Sequence, residues 1–220
     1  MQKSVWLLAV LLLVACSDRV PEVKDAAYWQ GKFAKGDSEA MKALSAEGAA
    51  ALPTLQTLLQ DESETVVQNA AMTLGDLGAD AAPAIPALLD AMGRFPGNPF
   101  IAQTLKELKS AAVPAMIEVL KGDNAELKAQ VAKVIGGVGT EGEPALPVLI
   151  DILEGNDPDP VKLEVIGAVA AISVKAVNGD ALPTLKALTA RGGELATYAD
   201  RAIRRIEHKL ELEATIAAGN

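Results

Sequence analysis

Ala51-Leu52-Pro53-Thr54-Leu55 is a short apolar run centred on a proline, and the chain repeats it four more times. Ala84-Ile85-Pro86-Ala87-Leu88, Ala112-Val113-Pro114-Ala115-Met116, Ala145-Leu146-Pro147-Val148-Leu149 and Ala181-Leu182-Pro183-Thr184-Leu185 follow, with prolines 33, 28, 33 and 36 residues apart. Self-similarity at such a period is the mark of a repeat architecture. Each proline leads into apolar residues at spacings of three and four, such as Leu55, Leu58 and Leu59, or Leu149, Ile152 and Leu153, which predicts a helix. Proline suits the first turn because the amide it lacks would have no acceptor within the helix.

Turn and capping residues come next: Asp61-Glu62-Ser63, Gly122-Asp123-Asn124 and Gly155-Asn156-Asp157-Pro158. Their side chains suit the free amides that open a second helix. Second-helix apolar positions align across units, with Val66, Ala70, Leu74 and Leu77 matching Leu127, Val131, Ile135 and Val138, then Val161, Val165, Val169 and Ile172. One helix pair cannot bury its apolar face alone, whereas stacked pairs share a continuous core. The expected fold is all-α: an α-solenoid, or superhelix, of about five helix pairs, right-handed and curved, with a concave and a convex side.

The segment Val66-Val67-Gln68-Asn69-Ala70-Ala71-Met72-Thr73-Leu74-Gly75-Asp76-Leu77-Gly78 resembles the second helix of a HEAT repeat of the short, bacterial, phycobilisome-lyase-like kind, and Ala132 to Gly139 echoes it. The resemblance extends over roughly residues 37–208. It implies helix packing and a binding or scaffolding role; relatives include adaptors and, in some cases, proteins that attach chromophores. The arginine common in the family's second helix is replaced by Gln68, Ala129 and Leu163, so an arginine ladder between repeats is not expected. The second unit is irregular, with Gly93-Arg94-Phe95-Pro96-Gly97-Asn98-Pro99 where a clean loop and helix start would stand, which predicts a kink or a widened groove.

Ahead of the repeats, Lys3, an apolar run from Val5 to Val14, and Leu13-Val14-Ala15-Cys16 have the parts of an export signal. The run is too short to span a bilayer, which takes roughly 20 apolar residues. Cys16 directly after Leu-Val-Ala resembles the lipobox of bacterial lipoproteins, which implies lipidation of Cys16 and cleavage before it. Several acyl chains, at about 0.8 kcal/mol per buried methylene, would hold stably to a membrane. Within that resemblance Ser17, in place of aspartate, points to the periplasmic face of the outer membrane, with the inner membrane as the alternative. The organisation expected is a signal peptide over 1–15, a lipidated cysteine and tether over 16–27, the solenoid over 28–216 and a tail over 217–220. The tether reaches at most roughly 40 Å, so partners must lie near the membrane.

The 220 residues carry a formal charge of −9, which becomes −10 if Lys3 leaves with the signal. That balance argues against binding a phosphate backbone, so nucleic acid is not an expected partner. With one cysteine there is no disulfide to form within the chain, and stability must come from packing. Tyr28, Trp29 and Phe33 cluster near the start, where a terminal unit must cover the open end of the stack; an exposed aromatic contact site is the alternative. Tyr198 to Ile216 predicts a long final helix with a basic segment, Arg201, Arg204 and Arg205.

Catalytic and metal-binding patterns are sparse. His208 falls on the polar face of the last helix. The acidic loops at Asp61, Glu62, Asp123, Asp157 and Asp159 lack the alternating spacing of a calcium loop and fit helix capping. Gly136-Gly137-Val138-Gly139 ends a helix and does not join a strand to a helix start, so it is no phosphate loop. Met72, Met92 and Met116 stand at core spacings. No cofactor, metal or enzymatic activity is expected.

The expected function is that of a non-catalytic interaction or scaffold module for cell-envelope proteins. The candidate contact residues, on second helices pointing away from the first, are Gln68, Thr73, Gln103, Lys106 and Lys133. Two alternatives are an envelope chaperone or assembly factor, for which an apolar groove is expected, and a lyase-like or small-ligand-binding protein.

Overall fold

The computed structural model describes residues 24–176 and 179–218. The signal sequence and Cys16 lie outside them. Every regular element among the described residues is helical. The α-helices are α1 (Ala26–Ala34), α2 (Ser38–Ala46), α3 (Leu52–Leu59), α4 (Glu64–Leu77), α5 (Ile85–Arg94), α6 (Pro99–Glu107), α7 (Val113–Lys121), α8 (Ala125–Val138), α9 (Leu146–Glu154), α10 (Asp159–Ala176), α11 (Leu182–Thr189) and α12 (Gly193–Ala218).

All five repeat prolines sit in the first turn of a helix, at α3, α5, α7, α9 and α11. Short 3₁₀ turns lead into the first four of these helices. Two of the long second helices stop at a glycine that adopts positive φ, Gly78 after α4 (55°) and Gly139 after α8 (81°). A side chain would be strained there, so the glycines at the end of the Gly136–Gly139 run act as helix terminators.

Odd-numbered helices stack on one another in chain order and even-numbered helices do the same, giving two layers. The chain is an all-α solenoid. Besides the five proline-headed pairs, α1 and α2 form a pair that begins the stack, one helix in each layer. The aligned apolar positions lie between the layers: Ala70, Leu74, Val131, Ile135 and all four of Val161, Val165, Val169 and Ile172 are buried. A fully buried aliphatic side chain of this kind contributes about 1.5–3 kcal/mol relative to exposure.

At the amino end Trp29 and Phe33 are buried in the core, which is the capping role. Asp25 caps α1 by accepting from the Tyr28 amide at 2.9 Å, so helix begins at Ala26 and takes in the last two residues assigned to the tether. At the other end α12 runs to Ala218, past the boundary assigned to the tail. Its buried residues, Ala199, Ala202, Ile203 and Ile206, all precede Glu207; Leu212 and Ile216 beyond them are exposed. No described helix is long and apolar enough to cross a membrane.

Candidate functional site

The even-numbered helices share one register. Met72 of α4, Gln103 of α6, Lys133 of α8 and Gly167 of α10 occupy equivalent places, and each is exposed. This line marks the open face of the second layer. Residues one place further on, Thr73, Thr104, Val134 and Ala168, are all buried, because one residue turns a helix by about 100° and carries the side chain into the seam with a neighbour.

The candidate contact residues therefore separate. Gln103 and Lys133 stand on the open face, and Lys106 and Gln68 are half-buried beside it. Thr73 is a correction: it is fully buried and its hydroxyl donates to the Asn69 carbonyl at 2.8 Å, so no partner can reach it. Met72 is the complementary correction, since it is 37% exposed and does not fill the core as Met92 and Met116 do.

The irregular segment 93–99 opens the groove that its sequence predicts. Helix α6 has nine residues, against fourteen in α4 and α8. Arg94 ends α5 and reaches back to the preceding unit, donating to the carbonyls of Leu59 and Asp61. Asn98 caps α6 by accepting from Phe100 and Ile101, and its amide donates to Glu64 at 3.0 Å. The Gly97 amide donates to Gln130 Oε1 at 3.2 Å. The loop is thus tied to the units on both sides.

Between this loop, α6 and α8 lies a cavity of about 280 Å³, lined by Met92, Gly97, Asn98, Pro99, Ala102, Lys106, Gln130, Lys133 and Val134. Its apolar part is Met92, Pro99, Ala102 and Val134. Neither the Lys106 nor the Lys133 ammonium makes a hydrogen bond or ion pair among the described residues. The Nε2 of Gln130 is buried without a hydrogen-bond partner. Sequence reasoning named both lysines but not Gln130; the signal available was a polar residue at a place where α4 carries the buried Asn69.

On the other side of α6 is a more open groove lined by Met72, Gly75, Asp76, Phe100, Gln103, Thr104 and Glu107. Gln103 Nε2 donates to Glu107 there at 2.7 Å. One helix therefore separates an acidic groove from a basic cavity.

The acidic loops serve the stack. Asp61 accepts from Gln30 Nε2 at 2.6 Å and from the Ser63 amide at 2.7 Å, and Asp157 pairs with Lys128 at 2.6 Å. Lys162, nearly buried, donates to the Gly155 carbonyl at 2.6 Å. Lys128 and Lys162 stand one residue before the places where the family arginine would be, and supply links that no arginine makes. Asn124 caps α8 as its sequence predicts, whereas Ser63 makes no side-chain cap to α4. His208 is exposed on α12. No cluster of three or more His, Cys, Asp or Glu that could hold a metal is found among the described residues.

Two stacked layers, one with an uncovered face of changing chemistry, define the class: a helical-repeat solenoid. Residues 51–81, which hold α3 and α4, match the HEAT repeat family. An engineered protein of known crystal structure is similar over 86% of this chain and 94% of its own, at 20% identity and a TM-score of 0.45. No curated protein matches the chain.

Proposed function

We propose that this chain is a non-catalytic interaction scaffold, held by a lipid on Cys16 at the periplasmic face of a bacterial outer membrane, where it binds other envelope proteins. The observation that carries the scaffold reading is the open face of the even-numbered helices, which presents a different residue in each unit: Met72, Gln103, Lys133 and Gly167. Specificity in a solenoid arises from such a series, each position adding one contact to a shared surface. A face that passes from a thioether to an amide, a base and a glycine favours a specific adaptor over a chaperone, whose clients would need a continuous apolar surface. The tether rests on the sequence around Cys16.

The test places a photo-crosslinking residue at Gln103 or Lys133 in the full-length chain in its own membranes, with Glu118, exposed on α7, as the control position. A discrete envelope protein crosslinked from the even-helix positions and not from Glu118 is the expected result. Equal crosslinking from both layers, or none above background, overturns the scaffold reading. Cys16→Ala is expected to release the chain from the membrane fraction; retention there refutes the lipid anchor.

A further inference from the structure

We propose that the cavity between α6 and α8 is a binding site for a carboxylate carried on a compact apolar group. The charged side chains that line the cavity are both donors. Lys106 and Lys133 line it, and neither ammonium has a hydrogen-bond or ion-pair partner among the described residues. The orientation of the Gln130 amide follows from chemistry, since the Gly97 N–H requires an oxygen opposite it and leaves Nε2 over. The side-chain amide oxygens in the lining already accept hydrogen bonds: Asn98 Oδ1 takes the amides of Phe100 and Ile101, and Gln130 Oε1 takes that of Gly97. No aspartate or glutamate lines the cavity. In a chain of charge −9, two lysines lining one cavity that no carboxylate lines favour an anion.

The apolar side narrows the class of anion. Met92, Pro99, Ala102 and Val134 offer no hydrogen bond from a side chain, so an oxygen turned toward them would lose its water without compensation. Phosphate and sulfate carry oxygens in every direction and fit poorly. A carboxylate is polar at one end, and its hydrocarbon part can meet the methionine and valine. About 280 Å³ corresponds to roughly nine water volumes, enough for the head group and a short branched chain. The same chemistry belongs to a free short-chain acid and to the last residue of a protein ending in an apolar side chain. The site does not depend on the scaffold reading, although a partner's carboxyl terminus would give that reading an anchor point.

The experiment uses the full-length chain in detergent, labelled with methyl-13C methionine. Met92 lines the cavity, Met72 lies on the open face outside it, and Met116 reports the core. The probes are 4-methylpentanoate, its amide, the peptide Gly-Gly-Leu with a free carboxylate, and the same peptide amidated. A saturable shift of the Met92 signal with one or both acids, and with neither amide, is expected. Response to the peptide acid alone identifies a chain terminus as the source, and response to 4-methylpentanoate alone identifies a free acid. Replacing both lysines, Lys106→Met with Lys133→Met, is expected to weaken acid binding by about tenfold or more, the loss that accompanies removal of a charge-assisted hydrogen bond. An unchanged Met116 signal shows that this variant is folded, and high salt weakening the acid in the unaltered chain gives a reading that needs no variant. Absence of a Met92 shift, equal shifts with the amides, or unchanged affinity after loss of both lysines overturns the site. If Met92 stays silent while Gln103 still crosslinks a partner, the cavity proposal fails and the scaffold reading stands.

Discussion

Gly136 and Gly137 are neighbours on α8, yet they face two seams built on opposite terms. A methyl group at Gly136 would stand 2.8 Å from the Cα of Ala168, a backbone atom of α10. At Gly137 it would stand 2.7 Å from Cδ of Lys106, partway along a flexible side chain of α6. The α8–α10 seam is closed backbone to backbone; the α6–α8 seam is spanned by a lysine stem with a cavity beside it. The shared register gives the reason. Where α4 carries Gly75 against α6 and α8 carries Gly136 against α10, α6 carries Lys106 against α8. A long side chain in the place of a glycine leaves α6 and α8 in looser contact than α8 and α10, and a cavity lies beside it.

The comparison breaks if the closed seam tolerates bulk. Gly136→Val should cost about 3 kcal/mol, since overpacking a contact with a helix backbone forces the helices apart. The urea midpoint of unfolding measures this, and a change within error would mean that α8 and α10 are not in contact as described. Lys128→Met tests the tie across the same seam. It leaves Asp157 without its ammonium partner, and a loss of about 2 kcal/mol is expected, as for a charge-assisted hydrogen bond with little solvent around it. Full retention of stability would mark the pair as incidental.

Gly137→Ala sharpens the contrast because the sign should reverse. Alanine is favoured over glycine in a helix by up to about 1 kcal/mol, and only the Lys106 stem has to move, so a gain in stability is expected together with weaker acid binding at the cavity. Destabilisation would show that the lysine is pinned. The smallest effect lies far from both seams. Asp37 caps α2, and its carboxyl is held below the ordinary aspartate range by the Lys32 ammonium at 2.9 Å, then by the Ala40 amide. A lowered value means that the folded state favours the carboxylate. Its contribution is therefore present above about pH 4 and lost as pH falls through the folded value. Asp37→Asn should flatten the acid limb of a stability-against-pH curve slightly, and an unchanged limb refutes the assignment.

The elements that recur are legible in the sequence. The prolines at 53, 86, 114, 147 and 183 mark helix starts, because the ring imposes the first-turn geometry wherever it stands. The break at residues 93–99 was also legible as a departure from the repeat, and the cavity lies there. Thr73 and Met72 were assigned to each other's faces because periodicity fixes the spacing of a stripe better than its edge, and a single residue is about 100° of rotation. Lys128 and Lys162 carried no signal as ties. The acceptor of Lys128 lies 29 residues on, at Asp157, and nothing local to that lysine says that this loop folds within reach, whereas Lys162 bonds Gly155 seven residues before it.

By itself the sequence determined a stack of helix pairs, their order, where each begins, and the one unit that departs from the rest, since all of these are set by contacts within about one turn or one repeat. Only the tertiary structure decided which seams close and which stay open. The distance between two stacked helices depends on pairs of residues about 30 positions apart, Gly136 with Ala168 and Lys106 with Gly137. Whether such a pair is a methyl against a backbone or a lysine over a glycine shows only when the two helices are side by side.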